Sequence, residues 1–122
     1  IKDKIVLITG GSRGIGLMIA KGFVNNGAKV YISSRNAKLC DQVARELTAQ
    51  GIGEAVSLPA DLQNLKECKR LVDEITKREG RLHVLINNAG ANWGAKFEEY
   101  PDEAFEKVLN LNLKRVFSLT QA

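Results

Sequence analysis

The chain has 122 residues, which at roughly 100–200 residues per domain allows one domain. Apolar side chains make up 44% and charged ones 26%, a globular balance that excludes wholesale disorder, and two prolines and eleven glycines exclude collagen-like and proline-rich classes. The net charge of +4 is mild and comes without a long run of like charges, so no nucleic-acid partner is expected.

Short aliphatic runs alternate with longer amphipathic stretches. Lys4–Thr9 (KIVLIT) predicts a buried strand, stopped by Gly10-Gly11. Ile15, Ile19 and Phe23 then recur at helical spacing over Ile15–Asn26, closed by Asn26-Gly27. Ala28–Ser33 predicts the second strand. Leu39, Val43 and Leu47 mark a helix over Asn36–Gln50, with Gly51 as its stop. Ala55–Leu58 predicts a third strand ending at Pro59, and Leu65, Cys68, Val72 and Ile75 form the stripe of a helix that ends at Gly80. Leu82–Ile86 predicts the fourth strand, which runs into Asn87-Asn88-Ala89-Gly90. After a loop with Trp93 and Gly94, Pro101-Asp102-Glu103 opens a last helix with proline in its first turn, and Phe105, Val108, Asn112 and Val116 share one face.

The sum is βαβαβαβα, which calls for an α/β Rossmann-type doubly wound parallel sheet with helices on both faces. Ligands of such sheets bind at the carboxyl ends of the strands. Cys40 and Cys68 have no C-x-x-C partner, and His83 is the sole histidine, so no metal site is expected. The two thiols read as reduced packing residues of a cytoplasmic protein. The longest apolar run, Ile5–Ile8, is far short of the ~18 residues of a membrane span, and Ile-Lys-Asp-Lys is not a signal peptide. The lack of an initiator Met suggests residues upstream.

Thr9-Gly10-Gly11-Ser12-Arg13-Gly14-Ile15-Gly16 joins a strand directly to a helix. Glycines there let an anion approach the backbone, and the helix N-terminus offers unpaired N–H groups to a pyrophosphate. Gly11 and Gly16 have Walker-type spacing, but Leu17-Met18 stand where Lys and Ser or Thr are required, which excludes a P-loop. A G-x-G-x-x-G frame from Gly14 and Gly16 puts Ile19 at the third glycine and fails too. What remains is T-G-x-x-x-G-x-G.

That octet resembles the cofactor loop of the short-chain dehydrogenase/reductase superfamily, matching at Thr9, Gly10, Gly14, Ile15 and Gly16. Asn87-Asn88-Ala89-Gly90 matches the family's N-N-A-G, and Asp61-Leu62 its acidic position after the third strand. Asn112 falls where the family places a catalytic helix asparagine. The resemblance spans nearly the whole chain. It implies strand order 3-2-1-4 within a larger 3-2-1-4-5-6-7 sheet, and cofactor contacts from Gly10, Ser12, Arg13, Gly14, Ile15, Gly16, Ser34, Arg35, Asp61, Leu62, Asn88, Ala89 and Gly90. Asp61 would meet the adenine amino group, or cap the following helix; Asn88, Ala89 and Gly90 would lie against the cofactor ribose. Asn87 is expected to satisfy backbone groups between strands, and Asn110 to face solvent beside Asn112.

An acid about 20 residues past the glycines binds the 2′-hydroxyl of NAD, whereas an Arg nearby accommodates the 2′-phosphate of NADP. Here Ser34 stands at the end of the second strand, no carboxylate lies between Tyr31 and Leu39, and Arg35 and Arg13 are placed to converge on one anion. NADP(H) is the expected cofactor.

Reduction of a carbonyl needs a proton donor, in this family a Tyr of Y-x-x-x-K with a Ser. Tyr31 and Tyr100 have Arg and Ala four residues on, so neither makes the motif. The resemblance therefore implies that residues 1–122 are the cofactor half of a longer single-domain enzyme, cut before the catalytic tyrosine, with the edge of the fourth strand left open. The expected activity is hydride transfer between nicotinamide and a small-molecule carbonyl or alcohol substrate, most like 3-oxoacyl-carrier-protein reductases. Alternatives are a non-catalytic NADP-binding module and, disfavoured by loop spacing, a nucleotide-dependent epimerase or lyase. By resemblance a homodimer or homotetramer is expected, Trp93 and Phe97 could line a substrate entrance, and no membrane is involved.

Overall fold

The computed structural model describes residues 1–90 and 101–121. Its elements are β1 (Ile5–Thr9), α1 (Gly14–Asn25), β2 (Lys29–Ser33), α2 (Ala37–Gln50), β3 (Glu54–Ser57), α3 (Leu65–Glu79), β4 (Val84–Ile86), α4 (Asp102–Leu109), a π-helical turn (Asn110–Lys114) and α5 (Arg115–Gln121). Trp93, Gly94, Phe97 and Tyr100 lie outside the described residues. All pairings are parallel, in the order β3-β2-β1-β4, as expected. β1 runs beside β2 from Ile5 opposite Lys29 to Thr9 opposite Ser33, so the two strands end level.

Because successive strand side chains point to opposite faces, each strand feeds two cores. Val6, Ile8, Val30 and Ile32 pack with Ala20 and Val24 of α1 and Cys40, Val43, Ala44 and Leu47 of α2. Leu7 and Tyr31 face the other way, onto Cys68, Leu71 and Ile75 of α3 and Leu119 of α5. Each fully buried aliphatic contributes about 2 kcal/mol. β4 is only half-buried, and among the described residues no strand pairs with its outer edge.

Several boundaries and faces differ from the sequence expectation. In α1 the buried line is Gly16, Ala20 and Val24, while Ile15 is 70% exposed and Ile19 and Phe23 are half-buried. Small residues face the sheet because the helix starts against backbone. Asn36 caps α2 through a 3.0 Å bond from the Leu39 N–H, but Gly51 is in extended conformation; a Cβ there would come within 2.3 Å of Val24 Cγ1, so its smallness serves packing. α3 buries Leu71 and leaves Leu65 exposed, and ends on left-handed Gly80 (φ 74). β3 sits one residue earlier than predicted, and Pro101 precedes the first turn of α4 rather than sitting in it. The last helix is broken by the π turn, which rotates its faces: Phe105 is exposed, Val108 and Val116 are half-buried, and Ala104 and Leu119 are the buried residues.

β4 is shorter than Leu82–Ile86 because His83 replaces a strand contact with its side chain. Its backbone N–H donates to Ile5 O at 2.9 Å, and its Nδ1 accepts the Ile5 N–H at 2.8 Å. The imidazole thus stands where a strand carbonyl would be.

At the same end of the sheet, on the neighbouring strand, Glu79 gathers two donors. Lys29 Nζ lies 2.7 Å and the Tyr31 hydroxyl 2.6 Å from Glu79 Oε2, tying the last turn of α3 to β2. The Lys29 ammonium and then the Tyr31 hydroxyl hold the Glu79 carboxyl below the usual carboxylate range. Burial, followed by the bond to Glu79, pushes the Tyr31 phenol up. A carboxyl whose folded pKa is depressed adds stability above its unfolded pKa and loses it as pH falls through the folded one. Lys29 is a third exposed, so the pair is discounted for solvent screening. Glu79→Gln is expected to cost about 1 kcal/mol at neutral pH, the gap to the unsubstituted protein narrowing below about pH 4. Urea unfolding at both pH values checks this; a gap independent of pH would contradict it.

Candidate cofactor site

The carboxyl ends of β1, β2 and β4 and the turn after β3 surround a cavity of about 520 Å³. The loop after β1 supplies Gly10, Ser12 and Arg13, and the segment ending β2 supplies Ser33, Ser34, Arg35 and Asn36. Ala60, Asp61, Leu62 and Gln63 come from the turn after β3; Asn88, Ala89 and Gly90 follow β4; Lys107 and Leu111 close the side. Ten of the thirteen cofactor residues singled out above thus share one wall: all except Gly14, Ile15 and Gly16, which form the first turn of α1. Asn112 is exposed on the π turn and off the wall, though a Cβ built on Gly90 would come within 3.1 Å of its Oδ1. Asn36, Ala60, Gln63, Lys107 and Leu111 were not foreseen. Of these only Asn36 had a readable signal, as a polar residue before a helical stripe.

Thr9 holds the floor together. Its Oγ1 accepts the N–H groups of Asn88 and Ala89, each at 3.0 Å, and donates to Ile86 O at 3.3 Å. Asn88 Nδ2 donates to Gly10 O at 3.2 Å, closing a second link between the loops after β1 and β4. The glycines make this approach possible. A Cβ on Gly16 would come within 2.1 Å of Gly10 O, and one on left-handed Gly10 (φ 68) within 2.8 Å of Asn88 Nδ2. Gly14 (φ 58) faces open space.

A family profile described as short chain dehydrogenase matches residues 4–122. The chain belongs to the short-chain dehydrogenase family. It is 46% identical to the rhamnolipids biosynthesis 3-oxoacyl-[acyl-carrier-protein] reductase of Pseudomonas aeruginosa, covering 99% of this chain and 46% of that protein. It is 31% identical to a 3alpha-hydroxysteroid dehydrogenase of Mediterraneibacter gnavus, over 100% of this chain and 49% of the other. Among solved structures, the Pseudomonas aeruginosa RhlG/NADP active-site complex matches with a TM-score of 0.93 at 44% identity, over 99% of this chain and 46% of that one. L-sorbose reductase from Gluconobacter frateurii, complexed with NADPH and L-sorbose, matches with a TM-score of 0.94 at 27% identity, over 99% and 46%. The chain spans about half the length of these relatives.

The family's dinucleotide fits the residues present. Arg13 occupies the N-cap of α1 without a side-chain cap bond, and no acid stands in the first turn, so the positive helix end is open to an anion. Among the described residues Arg13 and Arg35 make no ion pair and Asp61 is the one carboxylate on the wall. Ser33 is 1% exposed with its hydroxyl unpartnered at the cavity wall.

Two local polar roles differ from expectation. The cap of α3 is Asn64, which accepts the Lys66 N–H at 2.9 Å, while Asp61 Oδ1 accepts the Gln63 N–H at 3.1 Å within its own turn. Asn87 Nδ2 donates to Thr120 Oγ1 at 3.1 Å, anchoring α5 rather than the strands, and Asn88 does the inter-strand work. The backbone around Thr9 generates a direct test. Thr9→Val keeps the shape but strands the part-buried Ala89 N–H and leaves the Asn88 N–H only its 3.1 Å bond to Ile86 O, at a cost of about 1–3 kcal/mol. A melting temperature several degrees lower is expected for Thr9→Val and a near-normal one for Thr9→Ser; equal values for the two would contradict the clasp.

Proposed function

We propose that this protein is an NADP(H)-dependent oxidoreductase that transfers a hydride between nicotinamide and a carbonyl or secondary alcohol, with residues 1–122 forming the cofactor half of a single domain. The observation that carries the reading is the placement of Arg13 and Arg35 on one cavity wall together with neutral Ser34. Two guanidiniums, with no acid in the segment from Tyr31 to Leu39, suit a 2′-phosphate through forked, charge-assisted hydrogen bonds. The structural relatives solved with NADP or NADPH support it.

In this reading the open end of α1 and Gly14 take the pyrophosphate, Asp61 and Leu62 border the adenine, and Asn88–Gly90 admit the ribose closely. Bound NADPH supplies the hydride. Asn112, poised beside Gly90, helps organise the path of the proton. Tyr31 cannot donate that proton, being 1% exposed and engaged by Glu79. The donor is proposed to lie in the part of the relatives that these residues do not span. A 3-oxoacyl thioester is the favoured substrate class, supported by the identity to the Pseudomonas aeruginosa reductase.

The reading includes self-assembly as a homodimer or homotetramer in a reduced, cytoplasmic setting. Its support is an uncovered apolar row on the last helices: Phe105, Leu113 and Phe117 are 56%, 62% and 65% exposed. Among the described residues no helix is long and apolar enough to cross a membrane.

Calorimetry tests the cofactor. Arg35→Asp is expected to weaken NADPH binding about 10–100-fold, the worth of a lost charged hydrogen bond plus a new repulsion, and to leave NADH nearly unchanged. Equal losses for both would contradict NADP preference. Light scattering tests assembly: Phe117→Glu should lower the oligomer mass, and an unchanged mass would contradict this face as the contact.

A further inference from the structure

The turn after β3 does more than border the cavity. Gln63 faces α4 and the π turn and meets them with both its backbone and its side chain. Its backbone O accepts from Asn110 Nδ2 at 3.0 Å and from Arg115 Nε at 3.2 Å. Its Oε1 accepts from the same Asn110 amide, and its Nε2 donates to Lys107 O at 3.3 Å. These contacts reach both sides of the π turn that carries Asn112. They add to a thin set of contacts among the described residues, where Leu111 packs partly against the core under α3 and Lys114 pairs with Glu106. α4 buries only Ala104, and the π turn buries no side chain. A π turn of this kind is rare and occurs mostly as a single-turn bulge inside an α-helix, frequently at functional sites.

Gln63 is also bound to the ligand side. Its N–H donates to Asp61 Oδ1 at 3.1 Å, and Asp61, Leu62 and Gln63 are consecutive on the cavity wall, facing Lys107. A group that settles on Asp61 and Leu62 therefore restrains the same short turn whose last residue holds the π turn. Ordering one end lowers the cost of ordering the other, which is a coupling free energy between sites.

We propose that Gln63 is a positioning residue that links occupancy of the adenosine end of the site to the ordering of the π turn bearing Asn112. It acts through Asn110, Arg115 and the Lys107 carbonyl. The proposal rests on the dinucleotide reading above but assigns a role that hydride chemistry does not require.

Hydrogen exchange on the full protein, with 2′,5′-ADP as a probe of the adenosine end alone, tests it. In the unsubstituted protein saturating 2′,5′-ADP is expected to slow exchange across residues 107–115 by about five-fold, the lower range of such couplings. Gln63→Ala, which deletes the side-chain bonds to Asn110 and the Lys107 carbonyl but keeps the backbone O for Asn110 and Arg115, should reduce that increment while protection around Ser34 and Arg35 persists. Gln63→Glu, which keeps an acceptor for Asn110, should restore much of it. A merely structural role would raise exchange with and without ligand alike and leave the increment in place. Should Gln63→Ala not fold, Asn110→Ala removes the side-chain links from the helix side and should give the same loss. An increment absent from the unsubstituted protein, or equal in Gln63→Ala, overturns the proposal while leaving the dinucleotide reading intact. No protection at Ser34 and Arg35 with either 2′,5′-ADP or NADPH overturns that reading, and this proposal with it.

Discussion

One hydroxyl sets where the cavity can be. Thr9 ends β1 and is 1% exposed, and its Oγ1 serves three backbone groups of the chain that leaves β4. Parallel strands end without a hairpin to join them, so the spacing of the loops beyond them is otherwise set only by packing. With the Thr9 clasp made, Asn88 reaches Gly10 O, and Gly10 O in turn lies where any side chain on Gly16 would be. The start of α1, the N-N-A-G segment and the end of β1 are therefore tied to one another. The glycines are a consequence of that closeness as much as a provision for a ligand.

The two faces of the sheet carry different duties. The face covered by α1 and α2 is closed by aliphatic side chains and small residues. The face toward α3 and α5 relies on polar links at its margins: Glu79 to Lys29 and Tyr31, Asn87 to Thr120, and Gln63 to the segment around Asn110. Such links are each worth little in net stability, but they are directional. They suit a side of the molecule where geometry at a site counts for more than burial.

Much of this was legible in the sequence, for identifiable reasons. Strand cores such as Val6–Ile8 and Val30–Ile32 are local apolar runs, and the glycine loop and N-N-A-G are contiguous motifs with fixed chemistry. The expectation for α1 failed by one residue because hydrophobic size was taken to mark the buried face. The helix instead packs against backbone, where Gly16 and Ala20 fit and Ile15 does not. The last helix misled because a π turn adds a residue to one turn, and periodicity cannot locate that addition. Asn110 was expected to face solvent, yet it bonds Gln63 from 47 positions away. Long-range polar pairing leaves no periodic trace, which is why Gln63 and Lys107 were invisible and Asn87 was given the wrong partner.

The electrostatics of the cavity limit how sharply a 2′-phosphate can be selected. Arg13 and Arg35 are both exposed, so their long-range attraction is screened within about 8–10 Å at physiological salt. Selectivity must then come from short contacts: forked hydrogen bonds at phosphate distance, worth about 1.5–3 kcal/mol each when charged, or roughly one to two decades of affinity. The net charge of +4 contributes a general pull on anions but cannot separate NADP from NAD, since both carry the pyrophosphate. In the proposed reading, discrimination lies in the few residues after β2, where neutral Ser34 leaves room and Arg35 supplies the fork, and the pyrophosphate is left to the backbone that Thr9 holds in place.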